Sequence, residues 1–77
     1  MLLQRSKVDV LVFKTNINSE DALQKIAVLL GNDSNIFRWS IDTEDIDNVL
    51  RIESKDLLPE QIISKIEQAG FLCNELT

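Results

Sequence analysis

The spacing of apolar residues predicts a β-strand near the start of the chain. Residues Val8 to Phe13 (VDVLVF) are apolar and mostly β-branched, with Asp9 as the one interior charge. Side chains alternate along a strand, and a carboxylate favours water. We therefore expect the set that contains Asp9 to face away from the core and the other set to face it, which places Leu11 and Phe13 outward and Val8, Val10 and Val12 inward.

A helical spacing follows the polar stretch 15–19. Asn18 or Ser19 is a suitable N-cap, and Glu20 and Asp21 place negative charge in the first turn, where the helix dipole favours it. The pattern ends at Gly31, a common C-terminal residue of helices. The predicted apolar stripe consists of Ala22, Leu23, Ile26, Ala27, Leu29 and Leu30.

Two alternating segments in the middle of the chain predict an antiparallel hairpin, because only a short acidic link separates them. In the first segment, Ile36 to Asp42, we expect one face to carry Phe37, Trp39 and Ile41 and the other Arg38 and Ser40. In the second segment, Asn48 to Glu53, we expect Leu50 and Ile52 to point inward and Arg51 and Glu53 outward.

The last part of the chain predicts a second helix and a final strand. Pro59 is suited to a first helical turn, and Gly70 to the position after the last one. The inward residues of this helix are Ile62, Ile63, Ile66 and Ala69, and Phe71 to Leu76 form a strand of undetermined phase. The resulting β-α-β-β-α-β order predicts an α+β ferredoxin-like sandwich, with a four-stranded antiparallel sheet, both helices on one face, and a single domain over residues 1–77.

Composition narrows the functions that such a domain supports. The chain of 77 residues carries a net charge of −5, with no histidine and one cysteine. An acidic surface repels phosphate backbones, so we expect no nucleic-acid partner. Without histidine or a visible nucleophile–base pair we expect no enzyme activity and no catalytic residue. The polar residues that follow Met1-Leu2-Leu3 exclude a signal-peptide core, and we expect a cytoplasmic protein without membrane insertion, disulfide or cofactor.

The segment Ile62–Phe71 (IISKIEQAGF) resembles the end of the second helix in heavy-metal-associated domains, which occur in small copper chaperones and at the amino ends of metal-transporting ATPases. The resemblance implies the same ferredoxin-like fold and, in that family, a metal-binding loop of pattern G-M-T-C-x-x-C after the first strand. Aligning the first helices on Ile26 and Leu30 places Ser19 and Ala22 at the two cysteine positions. The three preceding positions of the loop are occupied by Asn16, Ile17 and Asn18. Soft cations prefer thiolate ligands, so we expect no metal at this altered loop.

Three further features each have a functional and a structural interpretation. Cys73 is either a reactive thiol or a small buried side chain, and the second is favoured. The acidic link 42–47 is either a calcium loop or a solvated turn, and Ile46 and Asp47 at key positions of a calcium loop favour the turn. The stretch 15–19 either receives an anion or caps the first helix, and capping is favoured.

The sheet face not covered by helices is the most informative surface. The predicted strand phases place apolar side chains there beside charged ones, which is typical either of a contact surface or of an ordinary wet sheet face. The candidate partner-binding residues are Leu11, Phe13, Arg38, Val49 and Arg51.

The first functional hypothesis is a non-catalytic protein-interaction module that binds another protein or a second copy of itself. The second is a small-molecule regulatory module, because amino-acid-binding ACT domains share this order of elements. The third is residual metal-ion binding or a role accessory to metal transport.

Overall fold

The computed structural model describes residues 8–76 and confirms the predicted order of six elements. Residues 1–7, on which the argument against a signal peptide depends, and Thr77 lie outside the described residues. The elements are β1 (Asp9–Thr15), α1 (Glu20–Gly31), β2 (Ile36–Asp42), β3 (Val49–Ser54), α2 (Pro59–Gln68) and β4 (Cys73–Glu75).

The four strands form one antiparallel sheet in the order β2-β3-β1-β4. Both helices contribute to the same core as the inner side chains of the strands, so both pack on one face of the sheet. The ferredoxin-like α+β fold predicted from the sequence is therefore confirmed. We call the helix-packed side of the sheet the covered face. The core on that side consists of Phe13, Ile17, Ala22, Ile26, Leu30, Leu50, Ile52, Ile62, Ile66 and Cys73.

The predicted phase of β1 is wrong. Phe13 is 0% exposed and Leu11 packs against the core, whereas Val10 is 52% exposed. The register explains this outcome, because Leu11 lies opposite Ile52 and Phe13 opposite the buried Leu50 on β3. Asp9 shares the covered face but occupies the first position of the strand, where its side chain stays exposed, so its charge did not set the phase.

The prediction for β2 is correct at Trp39 and Ile41, which pack against the core, and wrong at Phe37. Phe37 is 54% exposed because a β-bulge lies there. The pairing with β3 shifts between Ile36 and Arg38, so one extra residue is accommodated and the alternation is interrupted. The regular part of β2 begins after this bulge.

The helix termini follow the predicted capping chemistry. Ser19 is the N-cap of α1, and its hydroxyl accepts a hydrogen bond from the Ala22 amide. Pro59 opens α2, and the Leu58 N–H donates to the Gln61 side-chain oxygen at 2.7 Å. Gly70 follows α2 with φ of +98°, a conformation that glycine adopts without strain. These caps fix where α1 begins, which decides the geometry of the loop before it.

Candidate functional site

The loop between β1 and α1, which our alignment matches to the metal loop of heavy-metal-associated domains, is held by hydrogen bonds of Thr15. The Thr15 hydroxyl donates to the Asn48 carbonyl at 2.7 Å and accepts from the Ile17 amide at 3.1 Å. The Thr15 amide donates to the Asp47 carbonyl at 3.0 Å. The loop is thus fastened to the end of the β2–β3 turn by a buried hydroxyl that both donates and accepts.

The two positions that correspond to the family's cysteines are engaged in other interactions. The Ser19 hydroxyl accepts the Ala22 amide at 3.2 Å as the helix cap, and the Ala22 methyl group is buried in the core. A neutral hydroxyl and a methyl group supply no soft donor, so the side chains present do not fit a thiolate-bound cation. Capping, the favoured interpretation of the stretch 15–19, is confirmed at Ser19.

The remaining loop positions serve the fold. Ile17 is fully buried in the core, and the Asn16 side-chain oxygen accepts the Leu72 amide at 2.9 Å. Asn18 is exposed. Asn16 therefore ties the loop to the chain segment that enters β4, and Ile17 anchors it underneath.

Cys73 is a buried side chain of the covered face. It is 1% exposed and lies opposite Thr15 in the pairing of β1 with β4. Burial raises the pKa of the Cys73 thiol from 9.0 to about 11, and the nearby Glu67 carboxylate adds to this shift. The thiol is therefore neutral at physiological pH, and its interpretation as a small buried side chain is confirmed.

The acidic link 42–47 forms the turn of the β2–β3 hairpin. Its carboxylates bind the amides of the turn itself: Asp42 accepts from Glu44 at 3.1 Å, and Asp45 accepts from Asp47 at 2.8 Å. Such bonds are typical of aspartate-stabilised turns. Across residues 8–76, no group of three or more histidine, cysteine or acidic side chains is arranged to hold a metal ion.

The sheet face opposite the helices carries a different apolar set from the predicted one. Leu11 and Phe13, which we expected there, lie on the covered face, so their assignment to a partner-binding surface is wrong. Val49, Arg51 and Arg38 do lie on the opposite side, because each alternates with an inward residue of its strand. We call this surface the open face. Its apolar residues are Val10, Val12, Val49 and Leu76.

Leu76 and Val12 were not among the predicted contact residues. The Leu76 amide donates to the Val12 carbonyl at 2.9 Å, which extends the pairing of β4 with β1 by one residue. Alternation from the buried Cys73 places Leu76 on the open face next to Val12. The sequence contains a signal for this surface. The buried residues Phe13, Thr15 and Ile17 are spaced two apart, so the valines of β1, at even-numbered positions, face the other side.

Two of the three cations on the open face already have a carboxylate nearby. Lys14 lies 3.6 Å from Asp47, and Arg38 lies 4.0 Å from Glu53. Arg51, opposite Val12 on one side and Ser40 on the other, makes no ion pair with any described residue. We call the apolar residues of the open face, Val10, Val12, Val49 and Leu76, the apolar column. The open face therefore combines this column with the guanidinium of Arg51, which no described carboxylate pairs with.

Two further observations concern residues 8–76 as a whole. No cavity is found between them. None of the helices they form has the length and apolar character needed to cross a membrane.

The comparisons with known proteins establish the fold. No protein-family profile matches the sequence, and no curated protein matches it. Among solved structures, the chain is similar to the apo form of the HMA (heavy-metal-associated) domain of copper chaperone for superoxide dismutase. The similarity has a TM-score of 0.79 at 10% identity and covers 100% of this chain and 76% of that one. The heavy-metal-associated-like fold implied by the segment Ile62–Phe71 is thus confirmed.

Proposed function

We propose that this chain is a non-catalytic protein-interaction domain that uses the scaffold of a heavy-metal-associated domain and binds a protein partner through its open face. The observation that carries the proposal is the apolar column of Val10, Val12, Val49 and Leu76 on the side of the sheet that no helix covers. Apolar side chains that share one sheet face with charged ones around them are typical of contact sites.

The charges around the column define the partner's chemistry. The flanking cations Lys14 and Arg38 are paired with carboxylates of the same chain, whereas Arg51 in the centre makes no ion pair within residues 8–76. A partner that offers an apolar side chain to the valines and a carboxylate to Arg51 would satisfy both features of the surface. Arginine is favoured in such contacts because its planar guanidinium pairs with a carboxylate through two hydrogen bonds.

The loop aligned with the metal site of heavy-metal-associated domains supports a role in protein binding rather than in metal binding. Ser19 and Ala22 provide no thiolate, and the single thiol of the chain, at Cys73, is buried and held neutral. Histidine, the usual general base near neutral pH, is absent from the sequence. These features support a domain that keeps the scaffold and acts without a bound cation or a catalytic centre.

Affinity capture with matched variants tests the proposal. The wild-type chain should retain a protein partner that is lost with Val10→Glu and with Arg51→Glu, because the first buries a charge in the apolar column and the second repels the partner's carboxylate. The matched control is Val28→Glu on α1, since Val28 is an equally apolar residue, 67% exposed, on the other side of the molecule. Equal retention of the partner by all three variants, or loss only with Val28→Glu, would contradict the proposal.

Metal titration tests the second part of the proposal. We expect the wild-type chain to bind neither Cu(I) nor Zn(II) stoichiometrically under reducing conditions. The double variant Ser19→Cys/Ala22→Cys should gain one-to-one Cu(I) binding. It places one thiol at the N-cap of α1 and one in its first turn, where the helix dipole lowers a thiol's pKa. Tight binding by the wild-type chain that is abolished by Cys73→Ser would show that a metal site exists which the proposal denies.

A further inference from the structure

The outer edge of β2 is open to pairing. Among the strands that the structure describes, β2 is the terminal one and is bonded to β3 on one side only. A strand at a sheet edge presents a row of backbone N–H and C=O groups to its surroundings, and another strand of suitable length can satisfy them. The other edge strand, β4, has only 3 residues, whereas β2 has 7. Among the described strands, β2 therefore offers the longer template.

The regular part of β2, Arg38–Asp42, is complementary to a second copy of itself. Side chains directly opposite each other in an antiparallel pair share one face, so only registers that match residues of the same alternation are allowed. Centring the pair on Ser40 places Arg38 opposite Asp42 twice and Trp39 opposite Ile41 twice. Centring it on Trp39 places Arg38 opposite Ser40, and centring it on Arg38 places the two guanidinium groups against each other.

The surroundings of these side chains favour the register centred on Ser40. Arg38, Ser40 and Asp42 are exposed on the open face, and Trp39 and Ile41 are half-buried on the covered face. Only Nη1 of Arg38 approaches Glu53, at 4.0 Å, so the other nitrogens of its guanidinium can still donate to a second carboxylate. One carboxylate oxygen of Asp42 accepts the Glu44 amide, which leaves the other for a guanidinium. Opposite charges in directly facing positions stabilise a strand pair, and an aromatic side chain opposite a β-branched one does the same.

We propose that two copies of this chain associate through their β2 edges, antiparallel and centred on Ser40, into one continuous sheet with four strands from each copy. The interface consists of the backbone ladder, two Arg38–Asp42 pairs on one face and two Trp39–Ile41 contacts on the other. This association goes beyond the proposed function, because it uses the edge of the sheet and leaves the apolar column of the open face accessible in both copies.

A charge exchange tests the register. Sedimentation equilibrium at low ionic strength should show a reversible dimer of the wild-type chain. Arg38→Asp and Asp42→Arg should each weaken the dimer by roughly tenfold or abolish it, because each replaces two attractive pairs with like charges. An equimolar mixture of the two single variants should associate again, since every facing pair then joins opposite charges. The double variant Arg38→Asp/Asp42→Arg should also dimerise.

Two more measurements locate the contact on the molecule. The chain has a single tryptophan, Trp39, so its emission should shift to shorter wavelength as the wild-type concentration rises and the indole becomes more buried. Val10→Glu on the open face should leave the dimer unchanged. A wild-type chain that stays monomeric at millimolar concentration overturns the proposal, as does a mixture of the single variants that fails to associate. Loss of the dimer with Val10→Glu would assign the contact to the open face instead and would also overturn it.

Discussion

The two faces of the sheet are both rich in apolar residues, and they differ in the size of the side chains. The covered face takes Leu11 and Phe13 from β1, and the open face takes Val10 and Val12 from the same strand. Burying a leucine and a phenylalanine removes more apolar area from water than burying two valines. When both alternating sets are apolar, the larger side chains therefore decide which set lies under the helices. A single charge at the strand end, Asp9, does not.

The largest expected effect separates the two faces directly. Phe13→Ala should lower the free energy of unfolding by about 3–5 kcal/mol, because it empties a site in the centre of the core. Val10→Ala removes fewer atoms from a half-exposed position and should change it by less than about 0.5 kcal/mol. Urea unfolding followed by circular dichroism measures both. If Phe13→Ala prevents folding, Phe13→Leu gives a smaller loss of the same sign; equal effects at positions 10 and 13 would show that the faces are assigned wrongly.

The thiol on the covered face gives a pH-dependent effect. In the folded chain burial raises the pKa of Cys73 from 9.0 to about 11, so the unfolded chain loses this proton first as the pH rises. Ionisation of this thiol therefore leaves the free energy of unfolding unchanged below pH 9 and lowers it between pH 9 and 11, by about 2–3 kcal/mol at most. Denaturant unfolding across this range should show the decline for the wild-type chain, and Cys73→Ala should remove it.

The open face provides the matched control for Cys73. Asn74, the next residue, lies opposite Lys14 and is exposed. In a Cys73→Ala background, Asn74→Cys should react with a thiol reagent at the rate of a free cysteine. Cys73 in the wild-type chain should react far more slowly, because its thiol is buried and mostly protonated. Similar rates at positions 73 and 74 would mean that β4 does not shield one face from solvent.

Much of the fold could be predicted from local signals. Ser19 and Pro59 mark the starts of the helices and Gly70 follows the end of α2, as expected, because such signals depend on residues within one turn. The hairpin at β2 and β3 followed from clean alternation and a short polar turn. The error at Phe37 arose because a β-bulge is set by the pairing with β3, and nothing in the segment Ile36–Asp42 alone marks it.

The candidate site was harder to predict than the fold. The absence of thiolates at the two positions aligned with the cysteines of heavy-metal-associated domains could be seen in Ser19 and Ala22 themselves, since it is a matter of residue type. The open face was predicted wrongly, because its membership depends on the phase of β1 and we took that phase from Asp9. One wrong phase exchanges Leu11 and Phe13 for Val10 and Val12. The unpaired state of Arg51 among the described residues depends on the positions of side chains on three strands, which no local pattern contains.

The smallest effect concerns two buried hydroxyls of the covered face. Thr15 donates to the Asn48 carbonyl and accepts the Ile17 amide, whereas the buried Ser54 hydroxyl has no hydrogen-bond partner among the described residues. Thr15→Val should destabilise the chain by about 1–3 kcal/mol, because it leaves the buried Ile17 amide without an acceptor. Ser54→Ala removes a desolvated group that makes no bond, so thermal unfolding should show no loss, or a gain of up to about 1 kcal/mol. If Ser54→Ala is the more damaging change, the Ser54 hydroxyl has a partner, and the polar atoms of the covered face are arranged differently from those of this structure.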